Sequence, residues 1–376
     1  MLFRADAERA HDAAVRSGEL LSASRLACRA VAALWSPHGP LPALGARPAP
    51  ARAGVFAAEA APDPRLVVEV AGLRLRSPLG LAAGLDKSGR AVPVLAALGF
   101  GHVEIGSVSA DPSAGNPRPR LFRLPAERAI VVNYGVPNDG AERVARRLEA
   151  RPVAVPVGVN VVSTNRGHDE PDDAVLDDYV RSVARLQEPA GYLCLNLSCP
   201  NTRDGRGFFA DRARLRALLD RLEDLGVRRP LFVKVAPFAS ARELDSFLGA
   251  VAPFAFVSGF SVNLPPGKPP ALAAVRLPGA VSGRPAAAAA ERTIAELYRA
   301  IDHDRYALIG SGGVFSGADA YRMIRLGASL VQIYTALVYE GPGVVRRITA
   351  ELAGLVAREG ASVGELVGAG ERQLRM

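Results

Sequence analysis

Cys199 follows the amide-bearing run Asn196-Leu197-Ser198 and precedes Pro200-Asn201-Thr202. A thiol among amides can act as base or nucleophile once its pKa falls. Three more polar residues sit inside short apolar runs: Asn160 in 155–162, Lys234 in 231–236 and Asn263 in 259–263. Side chains alternate along a strand, so in 192–198 Leu193, Leu195 and Leu197 share one face, and Cys194, Asn196 and Ser198 the other. The same split sets Val157, Val159 and Val161 against Asn160, and Val233 and Val235 against Lys234. An unpaired buried amide costs roughly 1–3 kcal/mol and an ammonium more. Four polar groups brought to one place by separate strands therefore call for a polar ligand.

Eight such runs follow one another: 79–83, 102–108, 155–162, 192–198, 231–236, 259–263, 307–312 and 330–336. Helical stretches lie between most of them, for example 172–186, 211–225 and 284–300. Eightfold strand–helix alternation predicts an α/β fold, one (β/α)8 TIM barrel over 65–376, with the polar set at its carboxyl rim. Gly310-Ser311-Gly312-Gly313 after the seventh run and Tyr334-Thr335 at the end of the eighth offer backbone N–H groups where barrels bind phosphate. That points to a phosphorylated cofactor.

Residues 1–36 read as two helices, the first capped by Asp6, with Ser17-Gly18 separating it from a second that opens at Glu19. Leu20, Ala23, Ala27, Val31 and Leu34 would form one apolar face, packed on the barrel or laid on a membrane surface. Residues 37–64 are Pro- and Ala-rich and read as a linker, and 66–76 suggests a hairpin about Ala71-Gly72.

The net charge of +8 is carried by scattered arginines, with only Lys87, Lys234 and Lys268 as lysines and few aromatics to stack on bases. Nucleic-acid binding is not expected. The three cysteines, Cys28, Cys194 and Cys199, contain no C-x-x-C pair, and the five histidines have no ligand spacing. Reduced thiols and no metal are expected. Charges at Arg4, Asp6, Glu8, Arg9 and Asp12 argue against a signal peptide.

Taken together these segments resemble dihydroorotate dehydrogenase of the quinone-dependent, membrane-associated class. The likeness is carried by 6–11 (DAERAH), 79–87 (LGLAAGLDK), 99–107 (GFGHVEIGS), 115–124 (GNPRPRLFRL), 281–285 (VSGRP) and 327–336 (GASLVQIYTA). It implies FMN held by Ala83, Gly84, Ser107, Asn160, Asn196, Lys234, Gly283, Gly312, Gly313, Tyr334 and Thr335. It implies substrate contacts from Lys87, Asn196, Asn201 and Asn263, with Cys199 as the base and Lys234 meeting the charge that reduction puts on the flavin. His11, Arg123 and Tyr334 would line a quinone tunnel beneath the amino-terminal helices. The enzyme would sit peripherally on the cytoplasmic side of the inner membrane.

The chain also departs from that family. Cys199 stands where the membrane-associated class has Ser. Its substrate loop reads Val132-Asn133-Tyr134-Gly135-Val136, so an amide contact has become Val132, and a hydroxyl has become Leu264. Asn133, one residue along, is the candidate to compensate, and Tyr134 is counted with the substrate contacts. Losing two polar contacts would weaken dihydroorotate binding roughly 10²-fold. The alternatives are a paralogue acting on a less polar cyclic substrate, or an inactive barrel serving as a binding module.

Overall fold

The computed structural model describes residues 6–38, 62–199, 207–265 and 267–373. Most of the expected linker lies outside these residues. Helix α1 spans Ala7–Ser22, and the Asp6 carboxylate accepts from the backbone N–H groups of Glu8 and Arg9 at 3.1 and 2.9 Å. It does not break at Ser17-Gly18. Gly18 is buried against the start of helix α3, and a Cβ there would lie 2.9 Å from that of Ala91. Close packing thus offsets the roughly 1 kcal/mol that glycine costs within a helix. Helix α2 begins later than expected, at Arg25, and runs to Trp35 with Ser24 Oγ capping the N–H of Ala27. Helix α3 spans Val92–Ala97.

This shift breaks up the expected apolar face. Cys28, Val31 and Ala32 are buried, whereas Leu20 is 77% and Leu34 58% exposed. Leu20 and Val31 lie on different helices, so no common stripe joins them.

The hairpin forms as read: β1 (Val68–Val70) and β2 (Leu73–Leu75) pair antiparallel about Ala71-Gly72, both at positive φ. The strands that follow are β3 (Leu79–Leu81), β4 (His102–Val108), β5 (Leu121–Leu124), β6 (Ala129–Val132), β7 (Val157–Val161), β8 (Tyr192–Asn196) and β9 (Leu231–Val235). β10 (Val257–Val262), β11 (Ala280–Gly283), β12 (Ala307–Ser311) and β13 (Leu330–Ile333) complete the set. Eight of them, β3, β4, β7, β8, β9, β10, β12 and β13, close a parallel barrel in chain order. This is the predicted TIM barrel. Its registers pair Asn160 with Cys194, Asn196 with Lys234, and Lys234 with Ser261, so the polar groups rise on adjacent staves. The leucines and valines of the opposite face are buried under the helices.

Strands β5, β6 and β11 form a separate antiparallel sheet at the rim, which the sequence pattern did not disclose. α1 is fastened beside it. Buried Arg120 donates through Nε to Glu8 Oε1 at 2.9 Å and through Nη1 to the carbonyls of Ala114 and Asn116. Arg118 reaches both Glu8 and Asp12. Removing one partner of a buried pair strands the other charge. Glu8→Ala is therefore expected to cost about 3 kcal/mol, read as a lower denaturant midpoint and faster amide exchange across α1.

Candidate functional site

A cavity opens at the carboxyl rim of the barrel, with an empty volume of about 1060 Å³ including its mouth. The strand-borne polar groups meet in it. Asn196 Nδ2 donates to Ser107 Oγ at 3.1 Å, and Ser107 Oγ donates to Asn160 Oδ1 at 2.5 Å. Asn160 Nδ2 in turn donates to Glu104 Oε1 at 3.0 Å. Glu104 is fully buried and also accepts from Tyr192 Oη and Gln332 Nε2 through its other oxygen. Asn263 Nδ2 donates to Asn196 Oδ1 and to Ser198, while its own Oδ1 accepts the N–H of Leu264. Lys234 is 7% exposed and faces the same cavity. Among the described residues no carboxylate pairs with its ammonium. A buried cation without a counter-charge is costly, which suits this position to an electron-rich ligand.

Ala83 and Gly84 line one side of the cavity, and Gly283, Gly312, Gly313, Tyr334 and Thr335 another. Gly84 has φ +111°, and a Cβ on it would meet nothing within 4 Å, so the backbone there borders open space. Cys199 is buried at the wall, clustered with Val136 and Val162. Lys87 also faces the cavity, its Nζ 3.8 Å from the centroid of the Tyr134 ring. Burial pushes its ammonium down to about 7, against the opposing pull of Asp12, Asp86 and Glu8 and with the Arg120 charge adding to the fall.

A second cavity lies beneath α1. It is lined mainly by apolar side chains, among them Ala14, Val15, Leu95, Leu98, Leu337 and Val338. His11, Arg123 and Tyr334 are set into its wall. Tyr334 borders both cavities.

A sequence model of the dihydroorotate dehydrogenase family matches residues 65–356. The chain belongs to that family. The protein named dihydroorotate dehydrogenase (quinone) from Acidithiobacillus ferrooxidans is 37% identical over 372 residues, covering 96% of this chain and 94% of that protein. The protein of the same name from Rhodospirillum rubrum is 42% identical over 327 residues, covering 83% and 86%. The crystal structure of Eimeria tenella DHODH in complex with ferulenol superposes with a TM-score of 0.76 at 31% identity, covering 83% of this chain and 90% of that one.

For this dihydroorotate dehydrogenase relative, nearly all the residues singled out by sequence come together in the two cavities. Asn133 does not. Its side-chain oxygen accepts from Asn116 Nδ2 at 3.2 Å and it is no part of the cavity wall, whereas Val132 is. Successive residues at a strand end point to opposite sides, so the amide one position along cannot replace the one lost. Asn201 lies outside the described residues. Glu104, Tyr192 and Gln332 join the site from outside the residues expected, although Glu104 and Gln332 stand on the inward alternation of their strands, a signal legible in 102–106 and 330–333.

The lowered Lys87 pKa gives a signed expectation. A bound carboxylate favours the ammonium and raises that pKa, so binding takes up a proton when pH exceeds the free value. Affinity for a carboxylate ligand should be flat below pH 7 and fall up to about tenfold per pH unit above it, as titration calorimetry in buffers of differing ionisation heat would record.

Proposed function

We propose that this protein oxidises dihydroorotate to orotate with bound FMN and passes the electrons to a quinone. The observation that carries the reading is the shared wall: a polar cavity holding Cys199 and Lys234 abuts an apolar one at Tyr334. The residues present suit FMN. Lys234 offers an ammonium lacking an acidic partner among the described residues, Asn160 and Asn196 offer fixed amides, and Gly84 leaves backbone exposed to a cavity that Gly312 and Gly313 also line. FMN, when bound, supplies hydride acceptance and onward electron transfer.

The chain's own groups divide the remaining work. Cys199, as thiolate, takes the proton from the substrate carbon on one ring face, while hydride leaves from the neighbouring carbon on the other. The C–C single bond of the substrate becomes a double bond. Lys87 meets the substrate carboxylate, and Lys234 meets negative charge that arrives in the cavity. Val136 and Val162, packed with Cys199, keep water from the thiol.

Membrane contact belongs to the same proposal. The exposed large hydrophobic residues of the described chain, Leu20, Leu21, Leu26 and Leu34, all lie on or beside α1 and α2. No helix among the described residues is long and apolar enough to cross a membrane. A surface contact through α1 and α2 would put the apolar cavity at the lipid, where a quinone enters.

A second reading, a less polar substrate, is favoured by one observation: Val132 and Leu264 both line the cavity while Asn133 is held by Asn116. The two readings separate experimentally. Anaerobic addition of dihydroorotate to the FMN-loaded protein should bleach the flavin, and Cys199→Ala should slow this by about 10²–10⁴-fold while Cys199→Ser keeps part of the rate. A flavin that stays oxidised at saturating dihydroorotate overturns the first reading, and protein that takes up no FMN leaves only a binding module. Val132→Asn with Leu264→Thr should tighten dihydroorotate binding by about 10²-fold on the second reading; unchanged binding removes that reading.

A further inference from the structure

Taking the barrel-mouth cavity as the substrate site, as in the function proposed above, we infer that His11 of α1 is a positioning residue for Lys87, so that the amino-terminal helix completes the anion-binding wall of the substrate site as well as covering the apolar cavity. Lys87 Nζ lies 2.9 Å from His11 Nε2. The two residues face different cavities: Lys87 lines the polar one, and His11 the apolar one. Their contact therefore passes through the partition between them. The Tyr134 ring stands below both, with Lys87 Nζ 3.8 Å and the imidazole 5.8 Å from its centroid.

While Lys87 is protonated, as a bound anion keeps it, its ammonium has donors and no acceptor, so it donates to Nε2 and the imidazole proton sits on Nδ1. Burial and the neighbouring lysine hold His11 well below its usual pKa, which keeps that acceptor available at neutral pH. One Lys87 donor is spent on His11 and the Tyr134 face restrains the head group, so a long, flexible side chain is held in one place before the anion arrives. Preorganisation of this kind raises affinity by removing an ordering cost.

α1 is itself anchored at the right register. Glu8, His11 and Asp12 recur at helical spacing on one face. Glu8 is clamped by Arg120 and Arg118, and Asp12 by Arg118. The ion pairs flank the histidine and fix its reach toward Lys87.

The experiment uses FMN-loaded full-length protein carrying [13Cε]lysine. The chain has three lysines, so its spectrum carries three side-chain signals, and Lys87→Arg identifies one of them. His11→Phe keeps the ring and loses the acceptor. It should move the Lys87 signal and its titration midpoint, and should weaken orotate binding about fivefold, the worth of one ordinary hydrogen bond, measured by flavin absorbance with quinone absent. His11→Gln, which restores an acceptor, should recover most of both. If His11→Phe fails to hold flavin, His11→Leu is measured in its place.

A histidine that only lines the apolar cavity would alter flavin reoxidation by quinone and leave orotate affinity alone. Orotate affinity within twofold of the parent protein, or an unmoved Lys87 signal, overturns the inference. If orotate does not bind the parent protein, the proposed substrate falls, and the Lys87 signal alone then decides the part played by His11.

Discussion

A single buried carboxylate sets the geometry on which the rest depends. Glu104 accepts hydrogen bonds from Asn160 on β7, Tyr192 on β8 and Gln332 on β13, and so ties four staves of the barrel from inside. Each donor is oriented as a consequence. With its Nδ2 committed to Glu104, Asn160 must present Oδ1 to Ser107, which then receives Asn196 Nδ2. Asn196 is left with Oδ1 toward Asn263. An amide has two distinguishable ends, and only a fixed charge at one end of a chain of amides decides which way all of them face. The cavity thus inherits its donor and acceptor pattern from a residue below it.

The second constraint is the thinness of the partition between the polar and apolar cavities. Oxidising a polar molecule and handing electrons to a lipid-soluble one demands two environments that do not mix, yet lie within transfer distance. The wall between them therefore has to be thin. Here Tyr334 and the Lys87–His11 contact form it, each presenting a different side to each cavity. Tyrosine suits such a place because its ring packs against apolar neighbours while its hydroxyl tolerates a polar one. The helix that supplies His11 is held by ion pairs to the barrel excursion, so assembly of the partition depends on Glu8 and Arg120 as well.

The barrel was legible because it is written in a repeated local signal: a short apolar run with an inward polar residue, then an amphipathic helix. Asn160, Asn196, Lys234 and Asn263 were found by alternation alone. The β5–β6–β11 sheet was not, because its strands are about four residues long and β11 pairs with β6 across some 150 positions. Nothing local announces such a partnership. The break between α1 and α2 was misplaced for a related reason. Ser-Gly is a plausible stop in isolation, and only the approach of Ala91 and Val94 explains why Gly18 continues the helix. Position after the seventh and eighth runs marked Gly312, Gly313 and Tyr334-Thr335 as a backbone N–H site, whereas only family likeness pointed to Ala83, Gly84 and Gly283.

That sheet also explains why the altered substrate loop resists compensation. Val132 closes β6, paired with Leu121 on one side and Ala280 on the other, and its register is therefore fixed from both edges. Bringing Asn133 into the cavity would require a one-residue slip, which would turn every side chain of β6 to the opposite face. Ala129 and Val131 would leave the cluster they form with Leu272 and Val281, and Ile130 would leave Leu121 and Tyr134. Losing two hydrophobic clusters outweighs the gain from one amide contact, which is worth about 1–3 kcal/mol. Asn133 is instead fastened through its backbone N–H to Arg120 and through its side chain to Asn116. The apolar edge at Val132 is consequently a fixed property of the cavity, and any ligand must be complementary to it.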